Sequence, residues 1–284
     1  MQSSSNSLLH FTKSLYVIQE ILKDRFYGSY CVERFQYENQ EYALPVPKIS
    51  FCDVAEETIG QYEHYGKYCI GLTKEWGKRN QLNPVLYIEK HSSIAKSFIH
   101  AYNGTNIGVN LVNNTGLELR QLFDITKSHK EWDEMQKQNI YDEIARWVDR
   151  IESLGKIVSF GQYIPFYVKH YEDDLERNEK TIKNYRFYDE REWCYVPESL
   201  QTSNEMFKSM SQYKMWREES SEKSLLKNVN LDFKLQDITH LLVEKKEDII
   251  TLCNTIDNLP LERAEIEIKE RLKSIIKVNP RNQE

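Results

Sequence analysis

Asn184-Tyr185-Arg186-Phe187-Tyr188-Asp189-Glu190-Arg191-Glu192-Trp193-Cys194-Tyr195-Val196-Pro197 sets acids and bases among aromatics, then becomes a short apolar run that a proline ends. From Arg191 onward the residues alternate. Glu192, Cys194 and Val196 share one face of a strand, and Trp193 and Tyr195 share the other. A carboxylate at the mouth of such a strand, with Arg191 beside it, reads in two ways. It is a catalytic group held on a rigid element, or it belongs to an edge strand whose charges face water.

Before this stretch the chain offers other short strands. Leu8 to Thr12 reads as a strand, and Leu15, Ile18, Ile21 and Leu22 have helical spacing behind Ser14, a fitting cap. Phe26 to Tyr42 shows no clear period and reads as a loop. Pro45-Val46-Pro47 is rigid punctuation that delivers Lys48 to Asp53 as a second strand. A helix over 55–65, a strand over 66–72, a short helix from Thr73 and a strand over 85–88 follow. Ile94 to Tyr102 and Trp132 to Leu154 are spaced as helices, with the Asn- and Gly-rich Asn103 to Thr115 between them as a loop. After Pro197, 201–224 is polar, a loop or a weak helix around Met215 and Trp216. Leu231 to Leu235 and Ile238 to Val243 read as strands, and Glu247 to Val278 as a helical tail divided by Pro260. The expectation is an α+β fold in one elaborated domain, 1–284. Its parts are an N-terminal sheet half (1–93), a helical insertion (94–183), a second sheet half (184–245) and a helical tail (246–284).

The 284 residues suffice for a real core, and 40% hydrophobic with 29% charged residues marks a folded, polar-surfaced protein. A net charge of −6 argues against broad nucleic-acid binding but leaves room for a local basic groove. The five cysteines are scattered with no CxxC pair, which reads as buried thiols in a reducing compartment. No apolar run reaches the ~18 residues of a membrane span. The first seven residues lack signal-peptide character, so the expected location is cytoplasmic, with no membrane partner. GxxxxGK, GxGxxG, HExxH and GxSxG are all absent, and no histidine pair has metal spacing.

What remains is a set of polar residues on strands. His10 and Thr12 share a face of the first strand, where an imidazole can bond a sugar hydroxyl or a backbone carbonyl. Ser50 holds the equivalent position on the second strand, and its ordinary role is a bond to nearby backbone. Tyr65 and Tyr68 flank Gly66, which would let a planar group approach, although core packing is the commoner role. Glu192 completes the set, with Glu190 as the alternative acid.

Leu9-His10-Phe11-Thr12 followed by a helix, and Arg191-Glu192 before an apolar strand, resemble the opening and the catalytic segment of DarT-type ADP-ribosyltransferases. That resemblance implies a mixed, mainly antiparallel transferase-like sheet with NAD as cofactor. His10 would orient the NAD ribose, with Thr12 and Ser50 beside it, and Tyr65 or Tyr68 would stack the nicotinamide. Glu192 would stabilise the oxocarbenium-like charge, since a preorganised carboxylate opposite developing charge is an efficient catalyst. Arg191 and Lys183 become candidates for phosphate contact.

The same opening, with Ser50-Phe51-Cys52-Asp53, Tyr65 to Tyr68, Gly71 to Gly77, Asn83 to Ile88, Asn184 to Pro197 and the region of Phe233 and Asp237-Ile238, resembles the AbiGi abortive-infection family over nearly the whole chain. Cys194 departs from that pattern, where a basic residue is usual. The resemblance implies antiphage defence in a two-gene pair, with the antitoxin role. Three readings stay open: an effector that moves ADP-ribose from NAD to a nucleic acid or protein; a non-catalytic antitoxin or sensor that binds its cognate partner; and an inactive transferase fold keeping a nucleotide cleft.

Overall fold

Leu8-Leu9-His10-Phe11 alternates between two buried layers, and in the computed structural model Ser7–Thr12 forms β1 at the centre of a mostly antiparallel sheet. The structure describes residues 5–37, 40–177, 180–197, 209–219, 225–260 and 266–279. β1 pairs antiparallel with β4 (Tyr68–Thr73), Leu9 opposite Gly71 and Thr12 opposite Tyr68. Beyond β4 lie β12 (Ile238–Val243) and β13 (Ile276–Val278), the latter pair being parallel. On the other side stand β3 (Gln40–Cys52), β2 (Phe26–Tyr37) and β11 (Leu226–Leu231), while β10 (Glu192–Tyr195) extends the sheet along β3 and carries β5 (Asn83–Pro84). The α+β expectation with a mainly antiparallel sheet holds.

One apolar layer contains Leu8, Phe51, Ile70, Leu72 and Leu241, covered by α1 (Leu15–Lys23), α2 (Lys74–Arg79), α6 (Lys246–Asp257) and α7 (Ile266–Ser274). The opposite, smaller layer holds Leu9, Cys52, Cys69 and Leu242 under Ile59 and Tyr62. Thr73 caps α2 by accepting from the Trp76 amide at 3.2 Å. Ser14 stands at the N-cap of α1 but makes no side-chain cap bond.

Several elements depart from the sequence reading. The expected loop over 26–42 is most of a long hairpin, β2 against β3, registered from Ser29–Lys48 to Tyr37–Gln40. The hydrophobic period of 26–42 is interrupted by Glu33, which is buried on it. Among the described residues, Pro45 and Pro47 lie where β3 pairs with β2 alone, a setting in which a missing N–H is tolerated. The helix expected over 55–65 is a 3-10 segment, Glu56–Tyr62. The strand expected over 231–235 lies earlier, in β11, and the helical tail ends in β13. α5 (Met210–Glu219) is the helix around Met215; the rest of the polar stretch, 201–208 and 220–224, lies outside the described residues.

The chain divides into two compact units, 1–90 with 167–284, and 91–166. The second is a helical hairpin of α3 (Ser93–Ser128) and α4 (Glu134–Tyr163). The expected loop Asn103–Thr115 is helical throughout. A Cβ on Gly108 would lie 2.6 Å from Val158 Cγ2, and one on Gly161 2.6 Å from Thr105 Cγ2, so these glycines let the two helices approach closely. Contact across the pair overrides weak local propensity. Asp133 closes the N-terminus of α4 in a capping box: it accepts from the Gln136 amide at 2.8 Å, and its own amide donates to Gln136 Oε1 at 3.1 Å. The insertion expected over 94–183 is helical to Tyr163. After it come β7 (Val168–His170), β8 (Asp173–Arg177) and β9 (Lys180–Tyr185). Among the described residues no helix is long and apolar enough to cross a membrane.

Candidate functional site

Pairing fixes which face each side chain takes. Cys52 is opposite both Leu9 and Glu192, and Ser50 is opposite Cys194, so Lys48, Ser50, Glu192 and Cys194 share the face of the smaller core layer. A 3-10 turn, Phe187–Glu190, leads into β10 through Arg191, whose left-handed φ of 45° is unusual for a side-chain-bearing residue. That turn sets Glu190 and Glu192 to converge on a single lysine, Lys169 of β7.

The result is a buried, cross-linked polar cluster. Lys169 Nζ donates to Glu190 Oε2 at 3.0 Å and to Glu192 Oε2 at 2.9 Å. Lys48 Nζ donates to Glu192 Oε1 at 2.8 Å and to Glu33 Oε1 at 2.7 Å. The Tyr65 hydroxyl donates to Glu190 Oε1, and the Glu192 amide donates to the Tyr87 hydroxyl at 2.7 Å. Tyr87 stands on β6 (Leu86–Ile88) directly opposite Lys169. Glu190 and Glu192 keep only 2% and 4% of their surface exposed, so the charges are balanced within the protein rather than by water. Lys169 also lies 4.6 Å over the Phe187 ring.

The two glutamates are tuned in opposite directions. Burial alone would raise the Glu192 pKa, but Lys169 and Lys48 outweigh it and hold the carboxyl well below the usual carboxylate range. At Glu190 burial dominates over the attraction of Lys169, and its pKa is raised. Burial disfavours the charge on Lys48 and Lys169, yet the facing glutamates raise both well above an ordinary lysine.

These directions set a pH profile. The stability Glu192 contributes is present above its unfolded pKa of about 4.3 and is lost as pH falls towards its folded value. Glu190 acts in the opposite sense, its raised pKa favouring folding on acidification. Both lysines contribute stability below about pH 10.4, lost as pH rises through their folded values. Thermal melts therefore fall below about pH 4 and above about pH 10.4, and Glu192→Gln flattens the acid limb. An unchanged acid limb in that variant would assign the acid sensitivity to other carboxylates.

The sequence-derived site residues divide between the two faces. Ser50 joins Glu192. Its hydroxyl helps to hold that carboxyl down without reaching hydrogen-bond geometry, and its carbonyl meets His10 Nδ1 at 2.8 Å. Tyr65 reaches the cluster through its hydroxyl. His10 does not face Glu192. One residue along β1 from Leu9, it lies on the other face of the sheet, packed against Phe26 and Phe51 with ring centroids 5.3 Å away. The cleft expected between His10 and Glu192 is thus corrected by strand alternation. Thr12 bonds the Ser14 carbonyl at 3.3 Å, and Tyr68 donates to Asp248 at 3.0 Å, both on the His10 side. Lys183 is a surface partner of Asp174 at 2.5 Å. Cys194 is fully buried, and burial pushes its thiol pKa up.

Sequence reasoning missed Lys48, Lys169, Glu33 and Tyr87. A signal was available for two of them, since Lys48 adjoins the run Ile49 to Cys52 and Lys169 follows Phe166-Tyr167-Val168, settings in which a charge needs a buried partner. Among the described residues no group of three or more His, Cys, Asp or Glu side chains could hold a metal ion.

Fold and site together define an α+β protein built on a mainly antiparallel sheet, with Glu190 and Glu192 locked in an internal Glu–Lys–Tyr cluster. The family model described as "Putative abortive phage resistance protein AbiGi, antitoxin" matches residues 24–244, and the chain belongs to that family. No curated protein and no solved structure matches it.

Proposed function

We propose that this protein acts in abortive phage resistance as an antitoxin, a binding protein that neutralises a partner toxin through its surface and without catalysis. One observation carries the reading: all four carboxylate oxygens of Glu190 and Glu192 are already engaged by Lys48, Lys169 and Tyr65. A carboxylate that grips a ribose hydroxyl and meets developing charge needs an oxygen turned to the ligand. These oxygens serve the fold, and membership of a family described as an antitoxin agrees with that role. The transferase reading draws its support from Glu192, Ser50 and Tyr65, because His10, Thr12 and Tyr68 belong to the opposite layer.

The test is co-expression with the product of the neighbouring gene, scoring growth and co-purification. Glu192→Gln paired with Lys169→Met removes one charge of each sign from the cluster. That variant, once shown to be folded, is expected to neutralise the toxin as well as wild type does. Purified protein incubated with labelled NAD and host or phage nucleic acid and protein is expected to transfer no label. Transfer of label, abolished by Glu192→Gln in folded protein, would overturn the antitoxin reading in favour of the effector.

A further inference from the structure

The hairpin carries a surface that its own two helices leave unused. From Ser97 to Leu117 the chain has no Lys, Arg, Asp or Glu, and from Ser153 to Tyr163 it has only Lys156. Within these stretches Ile107, Leu111, Ile157 and Phe160 are 73%, 54%, 68% and 65% exposed. The close approaches of Gly108 to Val158 and of Gly161 to Thr105 fix how each helix is rotated. At about 100° per residue, Gly104, Ile107 and Leu111 of α3 then fall on the same side of the hairpin as Ile157 of α4, with Phe160 at the rim. Among the described residues a Cβ on Gly104 would meet nothing within 4 Å, so no contact there accounts for a glycine in this exposed helix.

We propose that this side of the hairpin is covered by a second copy of the chain, two α3–α4 hairpins packing face to face as a four-helix bundle. Three arguments favour a copy over a different protein. A two-fold contact brings a surface against itself, and a surface without charge avoids the like-charge repulsion that such a contact creates. The four exposed apolar side chains leave roughly 500 Å² uncovered, taking about 200 Å² for each when fully exposed. That is most of the ~800 Å² each partner contributes to a standard interface. Paired helical hairpins are also an established route to a closed apolar core. Gly104 is where the partner helix would approach most closely. The inference stands independently of the antitoxin reading.

Sedimentation of the full-length protein over a concentration series is the test, with far-UV circular dichroism confirming that each variant is folded. Wild type is expected to sediment at twice the 33.9 kDa chain mass. Leu111→Glu and Ile157→Glu are expected to weaken the dimer at least tenfold. Leu117→Glu, which the same rotation carries off that side, is expected to leave it intact. A monomeric wild type at ~100 µM would overturn the proposal, as would a dimer insensitive to both glutamates or one equally sensitive to Leu117→Glu. A monomer in which Leu111→Glu abolishes toxin binding would also overturn it, assigning the surface to the toxin.

Discussion

Glu192→Gln is expected to lower the free energy of unfolding by about 3–5 kcal/mol, the range for removing one partner of a buried ion pair. Both Glu192 oxygens face lysine ammonium groups, Lys48 at 2.8 Å and Lys169 at 2.9 Å, and its exposure is only 4%. Glutamine keeps the shape but loses the charge. It turns an NH2 group towards one of the two lysines and leaves two buried cations facing Glu33 and Glu190 alone. Because Glu190 is bound to the same Lys169, the two glutamates titrate as a unit, and the loss spreads through the cluster. Urea denaturation measures the effect directly. Combining Glu192→Gln with Lys169→Met removes one charge of each sign; Glu190, buried and without its lysine, is then expected to take up a proton and stay bonded to Tyr65, so part of the loss should be recovered. A loss below about 1 kcal/mol in the single variant would mean that water reaches the cluster and screens it, and would reopen these carboxylates to a ligand.

The same cluster explains what could and could not be read from the sequence. The alternation of Glu192-Trp193-Cys194-Tyr195 is local and strong, and the strand forms with the expected faces. β1, α1, β4 and β12 were legible for the same reason, each joining hydrophobic period to nearby turn or cap chemistry. The β2–β3 hairpin was not. Glu33 and Lys48 occupy inward positions that a hydrophobic pattern assigns to apolar residues, and they are tolerated there because they pair with each other across the hairpin and Lys48 also meets the distant Glu192. Asn103 to Thr115 misled in the other direction. Its glycines look like loop residues, but Gly108 is a point of helix contact whose partner, Val158, lies far along the chain. The candidate site was half legible. Parity along β1 places His10 opposite to Leu9, but only the register of Leu9 and Glu192 with Cys52 shows that His10 and Glu192 are on different faces. Register between distant strands is not written in local spacing.

Gly66→Ala is expected to destabilise the protein by about 3 kcal/mol or more, through backbone strain and a clash acting together. In the sequence Gly66 reads as a place where a planar group could approach. The group that approaches is the chain itself. Gly66 sits at φ +154° just before β4, and an added Cβ would lie 2.0 Å from the Thr12 carbonyl oxygen and 2.3 Å from its carbon. Those are backbone atoms at the end of β1, directly across from Tyr68, and they cannot rotate away as a side chain would. Relief requires parting β1 from β4, the central pair of the sheet. Gly116→Ala is the matched control: its Cβ would meet nothing within 4 Å, and alanine in a helix is favoured over glycine by about 0.5–1 kcal/mol. In one set of thermal melts the two alanines should therefore move in opposite directions, Gly66→Ala sharply down and Gly116→Ala slightly up. A Gly66→Ala protein as stable as wild type would show that β1 and β4 do not meet so closely. The assignment of His10 and Glu192 to separate faces, which rests on that central sheet, would then fall with it.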